Sequence, residues 1–313
     1  MKLMQTLKAK LLRAFARRMK GKFTYDAARY PLRAVSQESV PSAYGPARAL
    51  FYWPNTQSAQ PLPVYLNLHG GGFVAGVPEH DDSYCRRLAH NLGCLVVNLD
   101  YVLAPEYPFP AGLHQSFAVL EWLAEQAATL GIDPQRMAVG GHSAGGNLAT
   151  GVASLARGHQ RLRVVHQLID YAALDLVKDP GAKSSTIDKP LLGAGLGRFF
   201  NSCYLSDPAQ ARDPLASPLL ATVEALRGMP PATLIVAEYD VLRGEGEAYA
   251  EKLRQAGVEV NERMFAGCDH MFTHLGPDDS AEQAWQLMED GLRGAFQVGA
   301  GEQVGDNPVN ALA

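Results

Sequence analysis

Met137-Ala138-Val139-Gly140-Gly141-His142-Ser143-Ala144-Gly145-Gly146-Asn147-Leu148 is an apolar run, then a serine flanked by glycines, then the opening of a helical pattern. Met137–Gly140 reads as a short buried strand, and the segment from Ala144 to about residue 157 as a helix. The turn between them is sharp, and Gly141 and Gly145, two residues on either side of Ser143, leave room for the crowded backbone. Such a turn presents the serine hydroxyl at a helix N-terminus, where free N–H groups and the positive end of the helix dipole favour a developing oxyanion. Gly, Ser and Ala are common residues, so G-x-S-x-G alone says little. Its place between a strand and a helix is what makes Ser143 a candidate nucleophile.

Outward from this stretch the chain alternates. Strand-like runs are Arg48–Trp53, Val64–Leu68, Leu95–Leu99, Val164–Ile169, Ala232–Ala237 and Val258–Phe265, and helix-like segments lie near 80–92, 111–130, 243–256 and 280–295. Strands separated by helices of this length predict βαβ crossovers, hence an α/β fold with a mainly parallel sheet flanked by helices. Residues 172–230 break the rhythm with several Pro and Gly and read as an insertion. Residues 297–313 carry little pattern and are expected to be a flexible tail.

A second glycine motif, His69-Gly70-Gly71-Gly72, follows the Val64–Leu68 run. Successive glycines let backbone N–H groups converge on a small anion with no Cβ in the way. With the N–H of Ala144, those of Gly71 and Gly72 form a candidate oxyanion hole for a tetrahedral acyl intermediate. A phosphate-binding loop is the alternative, but Phe73-Val74 follows where Gly-Lys-Ser/Thr would be needed.

On these motifs the chain resembles the hormone-sensitive-lipase-like bacterial esterases of the α/β-hydrolase fold, marked by HGGG and GDSAGG. Tyr101-Val102-Leu103-Ala104-Pro105-Glu106 is similar to that family's YRLAPE. Ala237-Glu238-Tyr239-Asp240-Val241-Leu242-Arg243 is similar to its D-P-L-R stretch, and Gly267-Cys268-Asp269-His270-Met271-Phe272 to its G-x-x-H-x-F. The resemblance implies a serine carboxylesterase acting on short- to medium-chain acyl esters, with Ser143, Asp240 and His270 as catalytic residues and His69 orienting the glycine loop. Asp240 and His270 follow strand-like runs, at the edge where open α/β sheets place ligands. Glu238 is the competing acid, but it directly adjoins the strand run, and Asp269 reads as solvated. The family's cap is expected from residues 1–45 together with part of 172–230, leaving 46–296 as the catalytic domain. A ligand receptor on the same fold, and an amidase, lactonase or thioesterase using the same triad, are the alternative readings.

Three positions depart from the family pattern: His142 stands for Asp, Val102 for Arg and Val241 for Pro. The missing anion at 142 and cation at 102 suggest a pair lost together, in which case Asp at 142 would need Arg at 102 to be tolerated.

Composition narrows the remainder. The formal charge of −4 over 313 residues is no footing for nucleic-acid binding. It is unevenly spread: residues 1–25 hold eight basic side chains and no acid, leaving −12 on the other 288. Leu3, Leu7, Leu11, Phe15 and Met19 form one stripe of an amphipathic helix there. The stripe is expected to pack over the domain, contact of residues 1–22 with an anionic membrane surface being the alternative. Lys8 and Lys10 interrupt any signal-peptide core, and no apolar run approaches the ~18–20 residues that span a bilayer. Cys85, Cys94, Cys203 and Cys268 show no CxxC spacing, which fits a reducing, cytoplasmic setting. No histidine pair has metal-ligand spacing, so no metal and no cofactor is expected. The oligomeric state is not legible.

Overall fold

The computed structural model describes residues 2–18, 27–56 and 60–301. A helix, α1 (Lys2–Ala16), leads into strands β1 (Ala34–Val40), β2 (Ala47–Trp53) and β3 (Leu62–Leu68). Then come α2 (Asp82–Leu92), β4 (Leu95–Asp100), α3 (Ala111–Glu125), α4 (Ala127–Leu130), β5 (Ile132–His142), α5 (Ala144–Leu155) and β6 (Val164–Asp170). The insertion carries α6 (Ala194–Tyr204) and α7 (Val223–Leu226), and β7 (Ala232–Ala237), α8 (Arg243–Gln255), β8 (Val260–Phe265), α9 (Phe272–Leu275) and α10 (Asp278–Gly301) complete the order.

The strands form one eight-stranded sheet in the order β1-β2-β4-β3-β5-β6-β7-β8. β2 is antiparallel to β1 and to β4, and every other pairing is parallel. Side chains alternate between two cores, as the pleat requires. From β3, Val64, Leu66 and Leu68 enter one core with Leu113 and Val119 of α3 and Leu148 and Val152 of α5. Tyr65 points the other way, joining Tyr84 and Leu88 of α2 and Trp285 and Met288 of α10. Strands buried on both faces read as continuous apolar runs, and β7 is buried at all six positions.

Three departures from the sequence reading have physical causes. Residues 34–40, assigned with 1–45 to the cap, are an edge strand whose polar sequence AVSQESV leaves most positions exposed. β5 begins five residues before Met137, because Asp133 turns back on Gln135 N–H and Arg136 inside a strand whose pairing shifts register there. The last helix runs to Gly301, so 297–301 continue it and do not belong to a frayed tail; 302–313 lie outside the described residues.

The N-terminal stripe is the fourth departure. α1 turns Ala9 inward and leaves Leu3, Leu7, Leu11 and Phe15 between 59% and 86% exposed, so the stripe does not pack over the domain. Met19 lies outside the described residues. Among the described residues no helix is long and apolar enough to cross a membrane.

Candidate active site

Four parallel strands deliver the site at their carboxyl ends: the glycine loop follows β3, Ser143 follows β5, Asp240 lies beyond β7 and His270 beyond β8. Ser143 has φ +54° and ψ −115°, the strained turn read from the flanking glycines. Its N–H donates to Asp170 O at 2.8 Å, and its carbonyl accepts from Asn147 N–H at 3.2 Å, which pins the turn between β6 and α5. Gly145 meets Leu68 O so closely that any Cβ there would collide with it, and this contact lays the glycine loop against the first turn of α5.

The structure brings the three sequence-predicted residues into one chain of hydrogen bonds. The Ser143 hydroxyl donates to His270 Nε2 at 3.0 Å. His270 Nδ1–H donates to Asp240 Oδ2 at 2.7 Å. The second Asp240 oxygen accepts Leu242 N–H at 3.0 Å, fixing the carboxylate's orientation. All three side chains are buried. Burial alone pushes the His270 imidazole down, but Asp240, with help from Asp269 and Asp170, outweighs it and holds the ring above the ordinary histidine value.

The competing acids take other work. Glu238 Oε2 accepts Gly267 N–H at 2.7 Å, bracing the turn that leads to His270. Asp269, expected to be solvated, accepts the N–H of His270 and of Leu191, each at 2.7 Å, and so ties the insertion to the site.

Opposite the serine, the N–H groups of Gly71, Gly72 and Ala144 find no protein acceptor among the described residues. A Cβ on Gly70 would lie 3.7 Å from Ser143 Cβ, so the loop adjoins the hydroxyl. Gly72 has φ +62°, and a Cβ there would run into the Phe200 ring of α6, which covers the loop. α6 is held in place by Tyr204, stacked on Phe73 at 3.7 Å between ring centroids. His69 Nδ1–H donates to Gly70 O at 2.8 Å, and its ring stacks on Tyr101, whose hydroxyl donates to His69 O. Burial pushes the His69 imidazole down, keeping it neutral.

Behind the nucleophile lies a buried network that sequence spacing did not reveal. His142 Nδ1–H donates to Asp170 Oδ2 at 2.7 Å, and its Nε2 faces Asp81 Oδ1 at 3.8 Å. Asp81 also accepts from His274 Nε2–H at 2.8 Å and Asn67 Nδ2 at 2.7 Å. Thr273 donates to Asp170, and the Tyr171 hydroxyl lies 2.6 Å from Thr273 Oγ1 and 2.9 Å from His274 Nδ1. Burial pushes the His142 imidazole down, yet the two carboxylates raise it above its ordinary value. Asp81 stays well below the carboxylate range: burial opposes this, but His142, His274 and Asn67 outweigh it. Asp81, His142 and His274 have donor atoms within 4.8 Å of one another, a convergence of potential metal ligands that the linear spacing of the histidines gave no hint of.

This arrangement replaces the pairing of positions 142 and 102. The partners of His142 are Asp170 and Asp81, whereas the Val102 N–H donates to Gln115. Asp at 142 would set a third carboxylate beside two buried ones, and Arg at 102 is not expected to rescue it. H142D is expected to lower the unfolding free energy by about 3–5 kcal/mol, the scale for breaking a buried ion pair. Urea denaturation checks this, with H142N as the milder control; unchanged stability in H142D would contradict the ion-pair reading.

Residues 65–274 match the family described as alpha/beta hydrolase fold. This chain is an α/β-hydrolase. The hydrolase is 35% identical over 281 residues to the carboxylic ester hydrolase LipN of Mycobacterium tuberculosis, which covers 88% of this chain and 68% of the relative. It is 37% identical over 216 residues to an ethyl acetate hydrolase of Pseudomonas putida, covering 67% of this chain and 66% of that one. Among solved structures, EstE1, a thermostable carboxylesterase cloned from a metagenomic library, superposes with TM-score 0.78 at 36% identity, covering 95% of this chain and 96% of that one. The resemblance drawn from HGGG and the serine motif is thereby established for the hydrolase, as is its α/β architecture.

Proposed function

We infer that this α/β-hydrolase is a serine carboxylesterase that cleaves short- to medium-chain acyl esters through an acyl-serine intermediate. The observation that carries the reading is the continuous hydrogen-bond chain Ser143–His270–Asp240, beside three backbone N–H groups that have no protein acceptor among the described residues. A serine hydroxyl is a weak nucleophile until a base takes its proton. With its Nδ1 proton committed to Asp240, His270 offers Nε2 as that base. Ser143 Oγ attacks the ester carbonyl carbon as its proton passes to His270, and the carbonyl oxygen gains negative charge toward Gly71, Gly72 and Ala144. The tetrahedral adduct collapses by expelling the alcohol, which takes the proton from His270. Water then attacks the acyl-serine, with His270 again as base, releasing the acid and restoring Ser143. His69, stacked on Tyr101 and bonded to Gly70, sets the loop that presents these amides.

Four buried, unbridged thiols support a reducing, cytoplasmic setting. Phe200 over Gly72, and Leu191 tied to Asp269, support a cap built partly from the insertion that limits acyl length.

One experiment tests both substrate and base: kcat/KM for a series of p-nitrophenyl esters of increasing acyl length, measured across pH. Each methylene is expected to change the rate by no more than about 10- to 200-fold, giving overlapping activity with a maximum among the shorter chains. Because only the neutral imidazole accepts the serine proton, and Asp240 holds the ring's pKa up, the rate should fall on acidification with a midpoint above about 6.5. A maximum at the longest chains would contradict the substrate class. A rate flat between about pH 5 and 8 would contradict the base.

A further inference from the structure

The inner face of α1 is fastened to the domain mainly by polar contacts. Ala9 is fully buried, and Gln5 Nε2 donates to Ser202 O in α6 at 3.1 Å. Arg13 donates to Val74 O at 2.7 Å and Ala104 O at 2.6 Å, and grips both Glu106 carboxylate oxygens at 2.7 and 3.0 Å. His80 Nε2–H donates to Ala16 O at 2.9 Å, closing the carboxyl end. These anchors fix which face looks out, and that face is apolar: Leu3 is 86% exposed, Met4 64%, Leu7 59%, Leu11 65% and Phe15 63%. A row of large apolar side chains held in water on a fastened helix marks an interaction surface.

Charge identifies what covers it. On a turn of about 3.6 residues, Lys8 and Lys10 fall on opposite edges of the stripe, and Arg17 and Arg18 follow its last turn, all four exposed. No Asp or Glu occurs in residues 1–25, so a second copy laid on this stripe would set cations against cations. Apolar side chains at the centre with lysines at both margins suit the boundary between acyl chains and negatively charged headgroups, where lysine stems lie along the apolar layer and ammonium groups reach the phosphates. We propose that α1 docks the enzyme on an anionic phospholipid surface, with the stripe from Leu3 to Phe15 entering the headgroup boundary and Lys8, Lys10, Arg17 and Arg18 contacting lipid phosphates.

The docking face and the site are neighbours. Arg13 holds Val74, two residues beyond the glycine loop, and Gln5 holds α6, whose Phe200 covers that loop. Docking therefore brings the covered side of the site to the lipid. The proposal goes beyond the esterase reading and stands without it.

Vesicle flotation of the full chain tests the proposal, using phosphatidylcholine alone and three parts phosphatidylcholine to one part phosphatidylglycerol. The wild type is expected to float with the anionic vesicles and far less with the neutral ones. L7D/L11D should remain unbound, and K8E/K10E should weaken anionic binding by at least about tenfold. Both variants should keep the wild-type far-ultraviolet circular dichroism spectrum and thermal unfolding midpoint, which shows that they are folded. Failure of the wild type to float, or equal flotation of L7D/L11D, overturns the proposal. So does a wild-type dimer in light scattering that L7D/L11D splits without any vesicle binding, since the stripe then serves a second copy.

Discussion

Replacing Ser143 by alanine lowers kcat on p-nitrophenyl acetate by about 10⁴- to 10⁶-fold while the thermal unfolding transition stays where it was. The magnitude is that of removing a nucleophile whose partners act as a unit, leaving only oxyanion stabilisation and substrate binding. The fold is spared for a structural reason. The turn at 143 is held by backbone groups, through Ser143 N–H on Asp170 O and Asn147 N–H on Ser143 O, and alanine keeps both. Among the described residues the hydroxyl makes a single hydrogen bond, to His270. A variant that retains more than a hundredth of wild-type turnover would mean that another group performs the attack.

The second large effect separates two carboxylates that lie two residues apart. D240N should cost about 10⁴-fold in kcat, because an amide facing His270 Nδ1 stabilises the tautomer with its proton on Nε2, where it blocks acceptance from serine. E238Q should stay within a few-fold of wild type, since Glu238 accepts the Gly267 N–H and a glutamine oxygen can do the same. Steady-state rates of both variants on one ester suffice. Equal losses would show that the two residues act together in orienting the loop, and a larger loss in E238Q would reassign the acid.

What the sequence made legible follows from where its information is local. β7 reads to the residue because Ala232–Ala237 is buried on both faces and therefore apolar throughout. β1 is invisible to that criterion: an edge strand protects itself from further pairing by being polar, and AVSQESV looks like a loop. The stripe on α1 is plain in the spacing of its leucines, but its direction is not. That is set by Gln5 and Arg13 finding partners near 74, 104, 106 and 202, contacts without a local signature.

The site divides in the same way. Ser143, Asp240, His270 and the glycine loop sit in motifs whose residue types are dictated by their own turns. Asp81 from the turn before α2, Asp170 from the end of β6 and His274 from α9 converge on His142, and nothing in their spacing announces it. The one visible clue was His142 itself, in a position where the family pattern has an acid. Its meaning could be read only once the two carboxylates beside it were placed.

Catalysis rests on one hydroxyl, on the bend between β5 and α5, activated by an adjacent imidazole. Labelling the native enzyme with a fluorophosphonate, followed by mass mapping of the adduct, tests that activation most directly, because such reagents capture an activated serine and spare ordinary ones. One phosphonyl group per chain, on the peptide containing Ser143, is expected, and no labelling after H270A substitution. An adduct on a different residue, or H270A labelling at the wild-type rate, would contradict it.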